Sequence, residues 1–403
     1  MPEPPRTRSR RLRRAGGLTA ATTAVVLSAI TLPAHAAPEG RIAGAGASGA
    51  VQGSYIVTLE EGTRAPSAAG KSIAEKYGAR ISHTYGTALN GYAVRADERR
   101  ARRLAADPRV ESVVQDTTVG LDHYQKNPPN WGLDRIDQPA LPLDRGYTWP
   151  ESAGADVTVY VIDTGIRISH RDFGGRAAYG WDFVDNDRTA QDGNGHGTHV
   201  AGTVAGTAYG VAKKARVVAV RVLDDEGSGT TAQVIAGIDW VTRHAKRPAV
   251  ANVSLGGFAN AQLDAAVRNS IASGVTYAVA AGNDGLPATL YSPARVREAV
   301  TVGATTRADA RADFSNFGPA LDVFAPGVAI TSDSSKSDTG KATLSGTSMA
   351  SPHVAGAAAL YLADHEEATP AQVGRALVRR AAHGVVTGAG PGSPDGLLQV
   401  NNP

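Results

Sequence analysis

The 403-residue sequence contains no cysteine, which excludes disulfide bonds, a thiol nucleophile and cysteine-based zinc sites. Aromatic residues are scarce, at 5% of the chain, but 42% of all residues are hydrophobic, enough for a large core. Beyond the N-terminal region, no apolar run is long enough for a membrane-spanning helix. These absences exclude disulfide-stapled and polytopic membrane proteins.

Positive charge is concentrated at the start of the chain. Residues 1–120 carry 17 Lys and Arg against 10 Asp and Glu, whereas residues 121–403 carry 24 against 28. Six of the arginines lie between Arg6 and Arg14, so the basic isoelectric point is not evidence of nucleic-acid binding. We therefore predict no nucleic-acid partner.

The N-terminus has the three parts of a secretory signal. Its basic stretch is followed by the apolar Leu18–Leu32 and by Ala34-His35-Ala36, a small-x-small cleavage site. An uncleaved membrane anchor is the alternative, but the apolar run is short for a bilayer and rich in Thr and Ala. We predict a signal peptide at residues 1–36 and a secreted, extracellular protein with no membrane partner, stabilised by the size of its core and by bound cations.

A small α+β block follows the signal. Residues 37–51 are rich in Gly and Ala without a periodic pattern, which predicts a linker. Beyond it the pattern predicts strands at Tyr55–Leu59, Gly91–Val94 and Val110–Gln115, and helices at Ser67–Tyr77 and Asp97–Ala106.

The remainder of the chain, residues 122–403, alternates short strands with longer helices. The strands are rich in Val and Ala and hardly alternate between apolar and polar residues, as expected for buried parallel strands. They are predicted at Val157–Ile162, Val217–Val222, Ala249–Ser254, Val275–Ala281 and Ala299–Gly303, with helices at His196–Thr207, Thr231–His244 and Gln262–Ser273. This alternation predicts an α/β fold, a three-layer sandwich around a mostly parallel sheet.

Three separate segments each place one candidate catalytic side chain among glycines and other small residues. In chain order they supply Asp163 (Val159–Gly165), His196 (Asp192–Gly202) and Ser348 (Ser345–His353). Serine needs an adjacent base, histidine can be that base, and an aspartate can orient the histidine and stabilise its charged form. From about Trp131 to the C-terminus the chain resembles the subtilisin-like serine endopeptidases, most closely the proteinase K-like branch, which have this order.

Each motif alone has a plainer interpretation. Ser348 opens an Ala-rich stretch, Met349–Leu362, that predicts a buried helix, and serine is a common helix N-cap. His196 and His199 could both bind a metal, but no acidic partner completes that pattern, and His199 is expected to be a packed structural histidine. Asp163 lies in an Asp-Thr-Gly sequence like that of aspartic proteases, which require a second copy that this chain lacks. Together the motifs favour a triad.

The resemblance implies that residues 37–121 comprise the linker and an inhibitory propeptide, which in these proteases templates folding and plugs the active-site cleft. An independent accessory domain is the alternative. Cleavage is expected near Gly120–Gln125, just before Trp131-Gly132-Leu133, which would leave a peptidase domain at residues 122–403. Because family members are usually monomeric after maturation, we expect a monomer.

The resemblance also implies residues that bind the substrate. Asn283 matches the family's oxyanion-hole asparagine and would act with the Ser348 backbone N–H, although an ordinary turn asparagine is the alternative. Two segments match the walls of the family's peptide groove: Gly227, Ser228 and Gly229, and Ser254, Leu255, Gly256 and Gly257. The alternative is that both segments are ordinary glycine-rich loops. The segments expected to line the specificity pocket show no charged residue, which predicts broad cleavage after apolar or aromatic residues.

A structural calcium ion is the one cofactor implied. Alignment of Val300–Ala304 and Leu321–Phe324 with the family places its ligands at the carbonyls of Arg297 and Ala299 and at the carboxylate of Asp322. Arg297 stands where members of the proteinase K-like branch have proline. Because the ligand is the backbone carbonyl, this change of side chain does not remove it. No organic cofactor is implied.

The expected activity is therefore hydrolysis of proteins and peptides by a secreted, self-processing zymogen. A catalytically inactive binding module would have lost a triad or oxyanion residue, and all four are present. An esterase or lipase of the α/β-hydrolase fold would carry Gly-x-Ser-x-Gly and the order Ser, acid, His, and neither occurs. Because the base must be neutral, activity is expected at neutral to alkaline pH.

Overall fold

The computed structural model describes residues 39–46, 50–117 and 123–400, and the chain divides after Thr117 into two compact units. The predicted signal peptide and residues 120–122 of the predicted cleavage region lie outside the described residues. Within the described residues, no helix is both long enough and apolar enough to cross a membrane.

The first unit is a five-stranded sheet with two helices. Its elements are β1 (Ile42–Ala43), β2 (Ala50–Leu59), α1 (Ala68–Lys76), β3 (Arg80–Tyr85), β4 (Gly91–Arg95), α2 (Glu98–Ala105) and β5 (Val110–Thr117), with the strands in the order β1-β5-β2-β4-β3. Side chains of Ser67 and Asp97 cap the two helices by accepting backbone N–H groups. Val57, Ile73, Tyr92 and Leu104 are fully buried between the helices and the sheet.

One expectation for this unit was wrong, and one strand was missed. The region predicted as a linker contributes β1, which pairs in parallel with β5, and the first residues of β2. Strand β3 was not predicted, because most of its side chains are exposed and no hydrophobic alternation marks it.

The second unit is larger and contains a seven-stranded sheet. The strands of this sheet are β8 (Thr158–Asp163), β9 (Ala177–Asp182), β10 (Arg216–Arg221), β11 (Ala249–Val253), β13 (Thr276–Ala280), β15 (Val300–Thr305) and β16 (Val323–Pro326). They lie in the order β16-β15-β13-β11-β8-β10-β9, and every neighbouring pair is parallel. The paired short strands are β6 (His123–Tyr124) with β7 (Thr148–Trp149), β12 (Gly257–Phe258) with β14 (Tyr291–Ser292), and β17 (Ile330–Asp333) with β18 (Lys341–Leu344).

Helices cover both faces of the large sheet. The helices are α3 (Trp131–Ile136), α4 (His196–Ala205), α5 (Thr231–His244), α6 (Ala261–Ala272), α7 (Thr347–Asp364) and α8 (Pro370–Arg380). Val159 and Val161 of β8 pack in one core with α4 and α7, whereas Tyr160 and Ile162 pack in another with α5 and α6. Because strand side chains point alternately to opposite faces, one helix layer lies on each side. The predicted three-layer α/β sandwich is confirmed.

The strand order places the chemistry-bearing segments at one edge. Asp163 is the last residue of β8, Ser254 directly follows β11, and Asn283 follows β13 by three residues. Since these strands are parallel and adjacent, their carboxyl ends meet at one edge of the sheet, where α/β folds place their ligand sites.

Candidate active site

A buried carboxylate orients the candidate base. Nδ1 of His196 lies 2.7 Å from Oδ1 of Asp163, whose side chain is fully buried. The same oxygen accepts the backbone N–H of Thr164 at 2.8 Å. An imidazole that donates from Nδ1 keeps the lone pair of Nε2 free to accept a proton, as a general base requires.

The surroundings of His196 favour its charged form. Burial lowers the pKa of His196, but the charge of Asp163, its hydrogen bond and the charge of Asp192 outweigh burial and raise that pKa overall. The imidazolium that would form when His196 takes a proton is therefore stabilised.

Asp192 determines where α4 begins, a role not predicted from the sequence. Its Oδ1 accepts the N–H groups of Asn194 (3.0 Å) and Gly195 (2.7 Å), and its Oδ2 accepts the N–H of Thr198 (2.9 Å). A carboxylate at a helix N-terminus binds N–H groups that have no partner within the helix. Since His196 is the first residue of α4, these bonds fix the position of its backbone.

Ser348 is the second residue of α7 and is tied to the end of β11. Its hydroxyl donates to the carbonyl of Ser254 at 2.9 Å, and the Ser254 hydroxyl donates to the carbonyl of Ser348 at 2.9 Å. Pro352 lacks the N–H that would otherwise bind the Ser348 carbonyl within the helix, so this carbonyl accepts Ser254 instead. In the described structure the Ser348 hydroxyl does not hydrogen-bond His196, and such contacts are often long before substrate binds.

The side chain of Asn283 is oriented by the residue before Ser348. Its Oδ1 accepts both the backbone N–H and the hydroxyl of Thr347, at 2.8 and 2.9 Å. With Oδ1 occupied in this way, Nδ2 remains as the donor on the exposed side chain.

Asn316 holds the loop that carries Asn283, and the sequence analysis did not identify it. Its fully buried side chain accepts the N–H groups of Asp284 and Leu286 at 3.0 Å and donates to the carbonyl of Ala281 at 2.9 Å. A Cβ atom at Gly282, whose φ is +102°, would lie 2.3 Å from Nδ2 of Asn316. This position therefore requires glycine.

A cavity of about 540 Å³ brings the predicted site residues together. His196, Asn283 and Ser348 line it, together with both predicted groove walls, Gly227–Gly229 and Ser254–Gly257. Asp163 lies behind His196 and is fully buried.

A second cavity, of about 390 Å³, shares Ser254–Gly257, Asn283 and Ser348 with the first. It is also lined by Asp284, so the expectation of a pocket without charged residues was wrong. That expectation treated Asp284 only as part of a turn after Asn283.

The predicted calcium ligands do not line either cavity. Asp322 accepts the N–H of Thr301 at 2.8 Å, and burial raises the pKa of Asp322 to about 6. Its carboxylate forms no ion pair with the described residues, so its oxygens fit the needs of a hard cation. Among the described residues no three His, Asp or Glu side chains cluster as a metal site, so the carbonyls of Arg297 and Ala299 would have to supply the other ligands.

His199 is separate from this chemistry. Its Nε2 lies 3.0 Å from the carbonyl of Ile330, and burial lowers the pKa of His199 to about 4. A buried, neutral imidazole bonded to a backbone carbonyl fits the predicted structural role.

Comparisons with known proteins identify both parts of the chain. Residues 154–397 match the model of the subtilase family, peptidase S8, and residues 54–122 match peptidase inhibitor I9. The chain belongs to the subtilase family. It is therefore a serine proteinase, a peptide hydrolase, with an inhibitor segment ahead of it.

Two relatives match this subtilase over almost its whole length. An extracellular serine proteinase of Thermus sp. (strain Rt41A) is 48% identical over 95% of this chain and 98% of its own. A cuticle-degrading serine protease of Arthrobotrys oligospora is 42% identical over 92% of this chain and 96% of its own. The crystal structure of a cold-adapted subtilisin-like serine proteinase superposes with a TM-score of 0.65 at 53% identity, covering 67% of this chain and 97% of that one.

Proposed function

We propose that this subtilase is a secreted endopeptidase in which Asp163, His196 and Ser348 form the catalytic triad. The main support is the 2.7 Å contact between His196 and the buried Asp163, together with the position of Ser348 and Asn283 in the same cavity as His196. His196 takes the proton of the Ser348 hydroxyl as its oxygen attacks the peptide carbonyl, and then gives that proton to the departing amine. Water later releases the acyl group by the same route.

Asn283 stabilises the charge that develops on the substrate oxygen. Its free Nδ2 and the backbone N–H of Ser348 are the two donors of the oxyanion hole. The substrate backbone lies as an added strand between Gly227–Gly229 and Ser254–Gly257, whose glycines leave room for it. The alanines of the second cavity favour apolar and aromatic side chains before the scissile bond.

The N-terminal part of the chain controls this activity. We assign residues 1–36 to a signal peptide, 37–121 to the linker and an inhibitory propeptide, and 122–403 to the peptidase domain. The inhibitor match at residues 54–122 and the extracellular relatives support self-processing and secretion. The mature enzyme acts as a monomer, and calcium held by Asp322 and the carbonyls of Arg297 and Ala299 would make that segment more rigid.

Casein digestion tests this function. The wild-type enzyme should digest casein, a serine-directed covalent inhibitor should abolish the activity, and Ser348→Ala should be inactive and unable to release its propeptide. Ser345→Ala, which removes an exposed serine three residues away, is the matched control and should remain active. Maturation and casein digestion by Ser348→Ala would overturn the proposal.

A further inference from the structure

A chain of buried hydrogen bonds joins the first turns of α7 to the end of β11, behind Ser348. It begins on α7, where the hydroxyl of Ser351 donates to Oδ1 of Asn252 in β11 at 2.8 Å. Nδ2 of Asn252 donates to the hydroxyl oxygen of Ser254 at 2.9 Å. The Ser254 hydroxyl in turn donates to the carbonyl of Ser348 at 2.9 Å, so the chain ends on α7 again.

The direction of every bond in this chain is determined at its Ser348 end. A carbonyl can only accept, and α7 does not supply the donor itself, because Pro352 stands where the N–H would be. The hydrogen of the Ser254 hydroxyl therefore points to Ser348, and a lone pair of the Ser254 oxygen remains for Asn252. The atom of Asn252 that faces Ser254 must then be the nitrogen, which leaves the amide oxygen to accept from Ser351.

Asn252 thereby keeps the Ser254 hydroxyl turned toward α7. A serine hydroxyl rotates toward an acceptor within its reach, so an acceptor in the position of Nδ2 would compete with the Ser348 carbonyl. Nδ2 offers only a donor, and the bond from Ser351 holds the amide in that orientation. Asn252 and Ser351 are fully buried and Ser254 is 3% exposed, so solvent does not compete for these bonds.

The backbone of Ser348 is what this chain holds in place. Ser254 and Ser348 are joined by two hydrogen bonds, one of which runs from the Ser348 hydroxyl to the Ser254 carbonyl. That hydroxyl must leave the carbonyl when it gives its proton to His196, so the bond from the Ser254 hydroxyl is the one that remains during attack. Misplacement of a reacting group by about 1 Å costs about 10²-fold in rate.

We propose that Asn252 is a positioning residue for Ser348, which acts by fixing the direction of the Ser254 hydroxyl, with Ser351 holding the amide in place. The inference rests on the proposed function, because the position of Ser348 matters in this way only if Ser348 is the nucleophile. Asn252 lines neither cavity that contains Ser348, so its substitution should change kcat and not KM.

Two substitutions of Asn252 separate bond direction from packing. Asn252→Asp keeps the shape and the acceptor for Ser351 but places an acceptor where Nδ2 was, which turns the Ser254 hydroxyl away from Ser348. Asn252→Ala leaves a hole, yet the Ser348 carbonyl remains as an acceptor for that hydroxyl. At pH 9, kcat on a peptide p-nitroanilide should fall about 10-fold in Asn252→Asp and less than about threefold in Asn252→Ala, with KM within about threefold in both.

The pH profile supplies a readout that lost packing does not change. Burial favours the neutral form of a carboxyl group, and that form carries a proton that it can donate to Ser254 as the amide did. The kcat deficit of Asn252→Asp relative to the wild type should therefore be largest at pH 9 and shrink toward pH 6. Titration with a serine-directed covalent inhibitor counts the active sites, so incomplete maturation does not enter kcat.

Removal of the Ser254 hydroxyl tests whether Asn252 acts through it. Ser254→Ala should lower kcat about 10-fold, and adding Asn252→Asp to it should cost nothing further, because no hydroxyl remains to be directed. If Asn252→Asp does not mature, Ser351→Ala replaces it. This change frees the amide of Asn252 and should lower kcat about threefold, again only while the Ser254 hydroxyl is present.

Ser270→Ala is the matched control. It removes another fully buried serine hydroxyl, which accepts a hydrogen bond from the hydroxyl of Tyr277 at 2.8 Å and lies on α6. The melting temperature of this variant should fall, because the buried hydroxyl of Tyr277 loses its partner, whereas kcat and KM should stay unchanged.

Each remaining outcome counts against a specific claim. An Asn252→Ala variant at least as impaired as Asn252→Asp would show a packing role and overturn the inference. So would a kcat deficit of Asn252→Asp that does not shrink toward pH 6, or losses that multiply in the double variant with Ser254→Ala. Unchanged kcat in Asn252→Asp would overturn the inference and leave the proposed function intact, whereas a wild type that does not cleave the substrate would refute the proposed function itself.

Discussion

Asp333, the last residue of β17, is predicted to make this enzyme less stable in alkaline solution. Its side chain is fully buried, and neither carboxylate oxygen has a hydrogen-bond partner among the described residues. Nδ1 of His170 lies 3.4 Å from Oδ1, and a Cβ at Gly202 of α4 would lie 2.7 Å from Oδ2. Burial and then the charge of Asp172 raise the pKa of Asp333 to about 8, against the attraction of Arg176.

The direction and size of the effect follow from proton linkage. In the unfolded chain an aspartate has a pKa of about 3.9, so between about pH 4 and pH 8 the folded protein keeps a proton that the unfolded chain releases. Stability therefore falls as pH rises through that window. Four pH units at about 1.4 kcal/mol each set a ceiling of about 5 kcal/mol. Relaxation around the buried carboxylate and entry of water lower the cost, and we expect about 2–3 kcal/mol at pH 8.5.

Asp333→Asn removes the ionisation while keeping the shape of the side chain. The difference in melting temperature between this variant and the wild type should grow from pH 4.5 to pH 8.5 and reach about 5 °C. This value follows from the expected gain in stability, because 1 kcal/mol shifts the melting temperature of a domain of this size by about 2 °C. Thermal unfolding of enzyme inactivated by a serine-directed covalent inhibitor measures this without autolysis.

The matched control is Asp338→Asn, in the turn between β17 and β18. Hydrogen bonds from Ser169 and Arg167 lower the pKa of Asp338, so its removal should not stabilise the protein at any pH. An advantage of Asp333→Asn that is equal at the two pH values, or that is lost at pH 8.5, would refute the reasoning.

Three further predictions concern catalysis and one concerns calcium. Asn283→Leu should lower kcat about 10²–10³-fold with little change in KM, a magnitude known from subtilisin itself; a loss confined to KM would contradict the role. Asn316→Ala should lower kcat about 10-fold, with KM within threefold, because the loop beside Asn283 loses three hydrogen bonds; partial rescue by Asn316→Asp is the check. Below the raised pKa of His196, kcat/KM should fall tenfold per pH unit, and a flat profile from pH 5 to 9 would exclude it as the base. Calcium should raise the melting temperature of the wild type more than that of Asp322→Asn, and an equal gain would exclude Asp322 as a ligand.

The layers of helices and strands in the second unit could be predicted from the sequence, because local patterns of apolar residues determine them. Val159–Ile162 is apolar at every position, and both faces of that strand are buried under helices. The histidine motif could also be predicted from the sequence, because close packing there requires glycine. A Cβ at Gly197 would lie 2.1 Å from the carbonyl oxygen of Gly165. Helix α8 was not predicted, although Thr369 and Gln372 form a capping box at its start.

The residues that sequence reasoning missed act through long-range contacts. Asn316 bonds residues 30 to 35 positions earlier in the chain, and nothing in its neighbourhood marks it as more than a turn. Asp284 belongs to the substrate cavity only because β13, β14 and the segment after β11 converge there. The raised pKa of Asp333 likewise comes from α4 and the segment around His170, which are distant in sequence.

The most direct test of the central claim is to map the covalent adduct of a fluorophosphonate on the mature enzyme by mass spectrometry. The triad geometry predicts one adduct, on Ser348, formed in step with loss of casein digestion and strongly slowed in His196→Ala. An adduct on another serine that abolishes activity, or full activity with Ser348 modified, would contradict the account.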